Sequence, residues 1–215
     1  MKKIIAINGG PRKNWNTVNL LQKTLDGASS TGALTEMIHL YDLDYKGCSS
    51  CFSCKKAETY RDGKCAMRDG LSPVLDKIME SDAVVMGSPI YLGDVTGALR
   101  SLWERLIFMN LAYDANDRFI TAKSVSCGVV YTMNVTEEKM KELGYTKLFE
   151  SHISFLKALN GRVEYLTACD TFQFDDYSKY HAPMFSETSK KKSRLERFPK
   201  DADKAFSMGV KLMEG

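Results

Sequence analysis

The sequence predicts an α/β fold in which a parallel β-sheet carries helices on both faces. Two segments, 4–7 and 83–86, are uninterrupted apolar runs of strand length, which is typical of strands covered on both sides. Segments with helical periodicity lie between the strand-like segments along the chain. Strands that alternate with helices in this way indicate a doubly wound parallel sheet.

The first apolar run is followed by a polar loop and then by a helix. The loop, Asn8 to Thr17, begins with a Gly-Gly-Pro turn, and periodic apolar residues from Val18 to Leu25 indicate the helix. Such a loop brings together free backbone N–H groups and the positive end of the helix dipole. It can therefore bind a phosphate, with Arg12 as a forked donor, although an ordinary capped βα turn is the alternative. Neither GxGxxG nor a Gly-Lys-Ser/Thr ending is present, which excludes the common dinucleotide and triphosphate loops.

The remaining elements continue the alternation of strands and helices. A mixed polar and apolar segment, 33–40, predicts a strand near a sheet edge. Apolar runs predict three further strands, at 83–86, 125–131 and 163–169. Helices are predicted after Ser72, near Leu99, at 137–143, at 148–159 and after Pro199. Trp103 lies on a broad apolar helix face, so we expect it to be core or subunit contact, not a stacking platform.

Length and charge indicate one cytoplasmic domain, 1–215, without a nucleic-acid or membrane partner. The 215 residues are 44% hydrophobic, enough for one sizeable core. The net charge of +3 arises from 30 basic and 27 acidic residues that are mostly interspersed, so no strong field is expected. Only four apolar residues follow Lys2 and Lys3, too few for a signal peptide or a membrane span. The one obvious basic cluster is Lys190 to Arg197.

Two segments fall outside the regular pattern. Residues 41–70 are a long connection that carries four of the six cysteines. Because no secretion signal is recognised, these cysteines indicate thiols, a metal or cluster site or redox use, and not a disulfide framework. Residues 171–200 are aromatic-rich and are predicted to form an irregular arm. This arm either covers a neighbouring subunit or the active-site mouth, or packs on its own domain.

Two motifs of the chain resemble those of the flavodoxin-like NADPH-dependent FMN reductases. GGPRKNWNT and GSPIYLGDVTGALRSLWERL are similar to that family's GSPRxxGNT and GSPxYxGxxT(A/G)xLKxFxDR, and the likeness extends over nearly the whole chain. The resemblance implies a flavodoxin-like sheet of five parallel strands in the order 2-1-3-4-5. Both motifs then follow the strands at which the order reverses, where ligands bind in such sheets.

The resemblance also implies an FMN site. It would hold the phosphate on Gly10, Arg12, Asn16 and Thr17. It would hold the isoalloxazine against Pro89, Ile90, Tyr91, Leu92 and Gly93, beside the loop of Thr132, Met133 and Asn134. Gly10 departs from the family's usual serine, which leaves a backbone donor but removes a hydroxyl, and Tyr91 could instead be a loop anchor. No catalytic side chain is expected, because flavin N5 itself accepts hydride.

The activity implied by the resemblance is electron transfer from NAD(P)H through FMN to a quinone, a free flavin or a protein acceptor. The family tends towards dimers and tetramers, so a homodimer or homotetramer is expected. Two alternatives stay open. The chain is either an iron–sulfur flavoprotein that carries electrons from a ferredoxin partner, or a non-catalytic redox sensor whose cysteine loop is the working part.

The cysteine loop distinguishes these alternatives. It contains a CxxCxxC run and, after ten intervening residues, a fourth cysteine: Cys48, Cys51, Cys54 and Cys65. In the related iron–sulfur flavoproteins a similar run with a closer fourth cysteine binds a four-iron cluster, for which four thiolates are the required ligands. The charged gap from Lys55 to Lys64 is typical of a solvated loop. We therefore favour free or redox-active thiols over a 4Fe-4S cluster, with structural zinc as a third reading, and interpret Cys127 and Cys169 as buried hydrophobes.

Overall fold

The computed structural model describes residues 1–59, 63–113, 120 and 123–214. Its centre is a twisted β-sheet. The strands are β1 (Lys3–Asn8), β2 (Leu34–His39), β3 (Ala83–Tyr91), β4 (Asp94–Val95), β5 (Val125–Thr132) and β6 (Asn160–Ala168). The parallel strands run in the order β2-β1-β3-β5-β6, and β4 pairs antiparallel with β3. The predicted order 2-1-3-4-5 of the parallel strands is therefore confirmed.

The hairpin of β3 and β4 differs from the prediction, which ended the strand at Met86. Strand β3 continues to Tyr91, and Ile90 and Tyr91 pair with Val95 and Asp94. The two residues between the strands, Leu92 and Gly93, both have positive φ, 50° and 91°. A two-residue turn of this kind suits the twist of a β-hairpin. The sequence Gly-Ser-Pro after the apolar run is typical of a turn, so the prediction ended the strand there although it continues to Tyr91.

Helices cover both faces of the sheet. They are α1 (Asn16–Ser30), α2 (Ser72–Glu80), α3 (Gly97–Asn110), α4 (Glu137–Glu142), α5 (Tyr145–Leu156), α6 (Glu187–Glu196) and α7 (Phe198–Met213). In β1, Ile4 and Ala6 pack with α1 and α7, whereas Ile5 and Ile7 pack with α2, α3 and α5. Alternate residues of the strand thus enter different cores, which explains its uninterrupted apolar run. Within the described ranges, no helix has the length and apolarity needed to span a bilayer.

Helix α1 is held close to α7 by two glycines. A Cβ on Gly27 would lie 2.0 Å from the carbonyl oxygen of Phe206, and a Cβ on Gly209 would lie 1.9 Å from that of Thr24. Only glycine permits this approach of the two backbones. The contact fixes the axis of α1, and with it the direction in which the N-terminus of α1 points.

The prediction of an irregular arm over 171–200 is wrong in part, because α6 lies within it. Ser186 begins the helix by accepting a hydrogen bond from the N–H of Ser189 at 3.2 Å. The face of α6 that packs inward carries Lys190 and Ser193, which are buried, while Leu195 is exposed. An inward face made of polar residues has no apolar periodicity, so the signal by which a helix is usually found was missing.

Three predictions about single residues are confirmed. The side chain of Trp103 is buried, and its indole N–H points to the Met86 sulfur at 3.1 Å. Cys127 and Cys169 are also buried. Trp103 is therefore part of the core.

Candidate functional site

The loops that follow β1 and β3 lie side by side at the carboxyl edge of the sheet. The N–H of Gly9 donates to the carbonyl of Gly87 at 2.8 Å. The hydroxyl of Thr96 donates to the carbonyl of Gly9 and accepts from the N–H of Leu99 at 3.3 Å, so it also caps α3. Both loops are therefore joined through backbone groups, and α3 begins where they meet.

A cleft of about 160 Å³ opens between these loops, the end of β5 and residues 171–173. Ten of the predicted cofactor residues line it: Gly10, Arg12, Asn16, Thr17, Pro89, Ile90, Tyr91, Thr132, Met133 and Asn134. Leu92 and Gly93 do not, because they form the turn of the β3–β4 hairpin, where the Leu92 side chain is fully exposed. Tyr91 borders the cleft with about half of its surface in solvent.

The polar end of the cleft is the N-terminus of α1. Trp15 precedes the helix, and no side chain of the described residues caps its first N–H groups; the first turn contains no acidic residue. Thr17 lies in that turn, and its hydroxyl is 2.8 Å from the hydroxyl of Thr132. Uncapped N–H groups, the positive helix end and two hydroxyls form a site suited to an anion.

Gly10 is fitted closely into the first loop. A Cβ at this position would lie 3.0 Å from Cδ of Pro89 and 3.3 Å from Oδ1 of Asn8, so a serine would have to displace the proline ring slightly. The N–H of Gly10 donates to Asn8 Oδ1 at 3.0 Å. This bond stabilises the loop, and it engages the backbone donor that the resemblance assigned to a phosphate.

Arg12 and Asn16 contact the segment that crosses the cleft at 171–173. The Arg12 guanidinium donates to the carbonyl of Gln173 at 2.7 Å and lies 4.9 Å from the centroid of the Trp15 ring. The amide of Asn16 donates to the carbonyl of Phe172 at 2.7 Å. The start of the aromatic-rich arm therefore borders this cleft.

The apolar side of the cleft rests on the β3–β4 hairpin, which is anchored to α5. Asp94 of β4 lies 3.2 Å from Nε2 of His152, and Nδ1 of His152 lies 3.1 Å from the hydroxyl of Tyr131. Burial lowers the pKa of the imidazole, and the carboxylate of Asp94 opposes that effect. These contacts place polar groups of the hairpin, of α5 and of β5 beside one another.

A larger cavity of about 500 Å³ lies elsewhere, between α3, α5 and the cysteine loop. Its walls are mainly apolar and include Trp103, Ile107, Phe108 and Phe155. A phosphate needs the positive charge and convergent N–H donors that meet at the N-terminus of α1. The smaller cleft is therefore the candidate site for a phosphorylated ligand.

The sequence profile of the NADPH-dependent FMN reductase family matches residues 2–150. The matched span is more than half of the chain and contains both loops and most of the cleft. The chain belongs to the NADPH-dependent FMN reductase family. The resemblance drawn from the two motifs is thereby confirmed.

Curated relatives of this FMN reductase family member match about half of the chain. An iron–sulfur flavoprotein of Archaeoglobus fulgidus is 40% identical over 103 residues, which are 48% of this chain and 48% of that protein. An iron–sulfur flavoprotein of Methanocaldococcus jannaschii is 36% identical over 103 residues, 48% of this chain and 51% of that protein. The chain thus spans about half the length of the curated relatives it matches.

Solved structures share the fold of this family member over its whole length. An NAD(P)H:quinone oxidoreductase from Methanothermobacter marburgensis superposes with a TM-score of 0.70 at 15% identity, covering 100% of this chain and 98% of that one. An azoreductase from Bacillus anthracis superposes with a TM-score of 0.67 at 12% identity, covering 98% of this chain and 100% of that one. At such low identity the likeness establishes the α/β flavodoxin-like fold, and no more.

The cysteine loop of this family member borders a small cavity beside α3. Cys48, Cys51, Cys54 and Cys65 line a small cavity together with Arg105 of α3. Two donors of Arg105, Nε and Nη2, are buried and have no hydrogen-bond partner among the residues described. Burial raises the pKa of the Cys54 thiol, and the nearby Cys65 adds to that effect. Backbone and side-chain hydrogen bonds from Ser53 lower the pKa of Cys51.

The number of cysteines that line this cavity equals that of the ligands of a four-iron cluster. Four cysteines are the ligand set of such a cluster, and free guanidinium donors beside the thiols suit its negative charge and its sulfurs. In the described ranges, no group of three or more His, Cys, Asp and Glu is arranged to hold one metal ion.

The prediction that the gap from Lys55 to Lys64 is a solvated loop holds only in part. Lys55 is half-buried, and its ammonium group donates to the carbonyls of Phe108 and Leu111 at the end of α3. A cation at a helix C-terminus is stabilised by the helix dipole. Residues 60–62 of the gap lie outside the described residues.

Several residues around the two sites were missed in the sequence. Trp15, Phe172 and Gln173 line the cleft, and Arg105 reaches the cysteine cavity from a helix about 40 positions further along the chain. Only the aromatic composition of 171–200 was a signal for Phe172. Polar and apolar residues both lie three and four positions from Arg105 along α3, so no local pattern distinguishes it from a surface arginine.

Proposed function

We propose that this chain binds FMN in the cleft at the N-terminus of α1 and passes electrons from NAD(P)H through it to a quinone, flavin or protein acceptor. The observation that carries the proposal is the uncapped N-terminus of α1, with Arg12 and Thr17 beside it, opening onto the same cleft as the β3–β4 hairpin. A phosphate end and an apolar wall are thereby arranged in one cleft. Membership of the FMN reductase family supports the same ligand.

In this proposal the residues of the chain bind and orient the cofactor. Arg12, Asn16 and Thr17 supply donors to the phosphate, while Pro89 and Ile90 form an apolar wall for the ring. Bound FMN supplies the hydride and electron chemistry, so no side chain has to act as acid or base. Tyr91 and Leu92 present apolar surface to solvent at the edge of the hairpin, where a second substrate can approach the ring.

The proposal is tested by titrating the purified apo-protein with FMN and then adding NADH or NADPH. We expect stoichiometric binding, and oxidation of one of the two dinucleotides when a quinone is supplied. Absence of FMN binding would reject the proposal. FMN binding without NAD(P)H oxidation would leave the cofactor site intact and reject the reductase activity, in favour of an electron carrier or a sensor.

A second candidate function is that of an iron–sulfur flavoprotein, in which the cysteine cavity holds a four-iron cluster. The four cysteines that share one cavity with the unpartnered donors of Arg105 favour it over the free thiols first preferred. Two curated relatives carry the name iron–sulfur flavoprotein. A cluster would let the chain exchange single electrons with a protein partner.

Iron and acid-labile sulfide assays on anaerobically purified protein test this candidate. We expect about four irons per chain, and loss of that iron in Cys54→Ser with FMN binding unchanged. Cys127→Ser is the control, because that thiol is buried in the sheet and is not among the residues that line the cavity. Iron-free wild-type protein with full FMN occupancy would reject the cluster and restore the interpretation as thiols.

Three further predictions concern the oligomeric state, the location and the domain organisation of the protein. A homodimer or homotetramer, a cytoplasmic location and one domain over residues 1–215 are predictions that sedimentation, fractionation and limited proteolysis can test.

A further inference from the structure

The basic run of Lys190 to Arg197 lies beyond the residues that the family profile matches, yet part of it faces the flavin cleft. All of the run except Arg197 belongs to α6, and its members have different surroundings. The Lys191 side chain is 64% exposed and pairs with Glu187 at 2.7 Å, whereas only 4% of the Lys190 side chain is exposed. The run is therefore not simply a solvated face.

Lys190 anchors α6 to two of the loops that border the cleft. Its ammonium group lies 2.5 Å from Oδ1 of Asp170 and also donates to the carbonyl of Asn134. Asn134 follows β5 and lines the cleft, while Asp170 follows β6. A buried charge with two oxygen partners has a well-defined position, because moving it away would leave a carboxylate unpaired. The helix is thus fixed relative to the site.

Arg194 lies one helical turn after Lys190, on the same face of α6. Its guanidinium stacks on Phe198, 3.9 Å from the ring centroid, and donates to Oδ1 of Asn16 at 3.3 Å. Burial lowers the pKa of this guanidinium, and no carboxylate among the described residues offsets that effect. Because an arginine stays protonated near neutral pH, Arg194 places a positive charge near the N-terminus of α1. The described residues provide no acidic partner for it there.

The contact with Arg194 determines which end of the Asn16 amide faces the cleft. Arginine can only donate, so the amide oxygen must point towards it. The Asn16 side chain is almost fully buried, and its Nδ2 donates to the carbonyl of Phe172, which lines the cleft. The amide consequently presents its donor, and not its acceptor, on the cleft side. An anion requires that orientation.

We infer that Arg194 is a positioning residue that selects a phosphorylated flavin over an unphosphorylated one, by orienting Asn16 and by placing a second positive charge behind the phosphate end. The inference rests on the proposed FMN site. Lys190 contributes by holding α6 in place. Riboflavin, which lacks the phosphate, gains nothing from either effect.

Dissociation constants of FMN and riboflavin, measured by flavin fluorescence on the apo-protein of residues 1–215, test the inference. In Arg194→Met we expect FMN affinity to fall roughly tenfold, with riboflavin affinity unchanged. Arg194→Lys keeps a charge but loses the forked donor, so we expect an intermediate FMN-to-riboflavin ratio. Lys191→Met, the exposed neighbour, should change neither constant. Thermal melting accompanies each titration.

The outcomes separate this inference from the proposed function. If wild-type protein binds no FMN, both are rejected. If wild-type protein binds FMN but Arg194→Met weakens both flavins equally or neither of them, only the inference is rejected. Should Arg194→Met fail to fold, Arg194→Lys decides: a ratio equal to that of the wild type overturns the inference, and a lowered ratio supports it.

Discussion

The substitution Arg12→Ala is expected to weaken FMN binding by roughly 10- to 100-fold, or about 1.5–3 kcal/mol, the range of a hydrogen bond to a charged group. Arg12 borders the polar end of the cleft, where its guanidinium donates to the carbonyl of Gln173 and stacks on Trp15. A forked cation is suited to a phosphate that also receives the N–H groups of α1. Flavin fluorescence titration measures the effect.

The adjacent Lys13→Ala is the matched control for Arg12→Ala. Lys13 is half-exposed and pairs with Asp42 at 2.7 Å on the surface, away from the residues that line the cleft. The substitution Lys13→Ala removes the same formal charge from the same loop as Arg12→Ala. Its effect on FMN affinity therefore measures the general electrostatic contribution of that charge. Equal losses in the two variants, or full FMN retention by Arg12→Ala, would contradict the assignment of the phosphate end.

The substitution Arg105→Met is expected to lower the free energy of unfolding by about 3 kcal/mol at pH 7, as is usual when a buried ion pair loses one partner. The Arg105 side chain is fully buried, lies 2.6 Å from Asp69 and donates to the carbonyl of Lys46 at 3.2 Å. Without it, Asp69 would be left as a poorly solvated carboxylate. Urea denaturation measures the change, and Glu142→Gln, in an exposed pair with Lys139, should cost less than about 0.5 kcal/mol.

The effect of Arg105→Met should depend on pH with a defined sign. Burial by itself raises the pKa of Asp69, but the hydrogen bond and charge of Arg105 outweigh burial and hold that pKa below its ordinary value. The stability from the ion pair is then present above the unfolded pKa of about 3.9 and is lost as the pH falls through the lower folded pKa. The difference between wild type and variant should therefore shrink below about pH 4. A difference that is constant from pH 3 to 7 would contradict this assignment.

Local sequence patterns were sufficient for most of the sheet. The apolar runs in β1 and β3 and the turn signals after them predicted parallel strands, because burial on both faces leaves no polar position in such strands. The same two loops led to the candidate site, since the topology places them at one edge. Leu92 and Gly93 are the exceptions. Their positive φ values form a hairpin turn, and no apolar pattern encodes which side of a turn faces a ligand.

Contacts at the site between residues that are far apart in the sequence could not be predicted from local sequence patterns. Helix α6 has no apolar stripe. Its inward face is identified only by the tertiary contacts of Lys190 with Asp170 and of Arg194 with Asn16. The aromatic segment was noticed, but its contact with Asn16 through Phe172 joins positions 156 residues apart. A sequence window contains one partner of each such contact and never both.

Periodicity and turn chemistry, which act over a few residues, predicted the alternation of strands and helices and a candidate phosphate loop, and the resemblance of two motifs supplied the strand order and the family. The tertiary structure alone decided that four cysteines share a cavity with Arg105, and that α6 reaches back to the first helix. The physical reason is that burial of a charge or a thiol depends on what packs against it. The residues that pack against such a group are determined by the tertiary fold and not by the adjacent sequence.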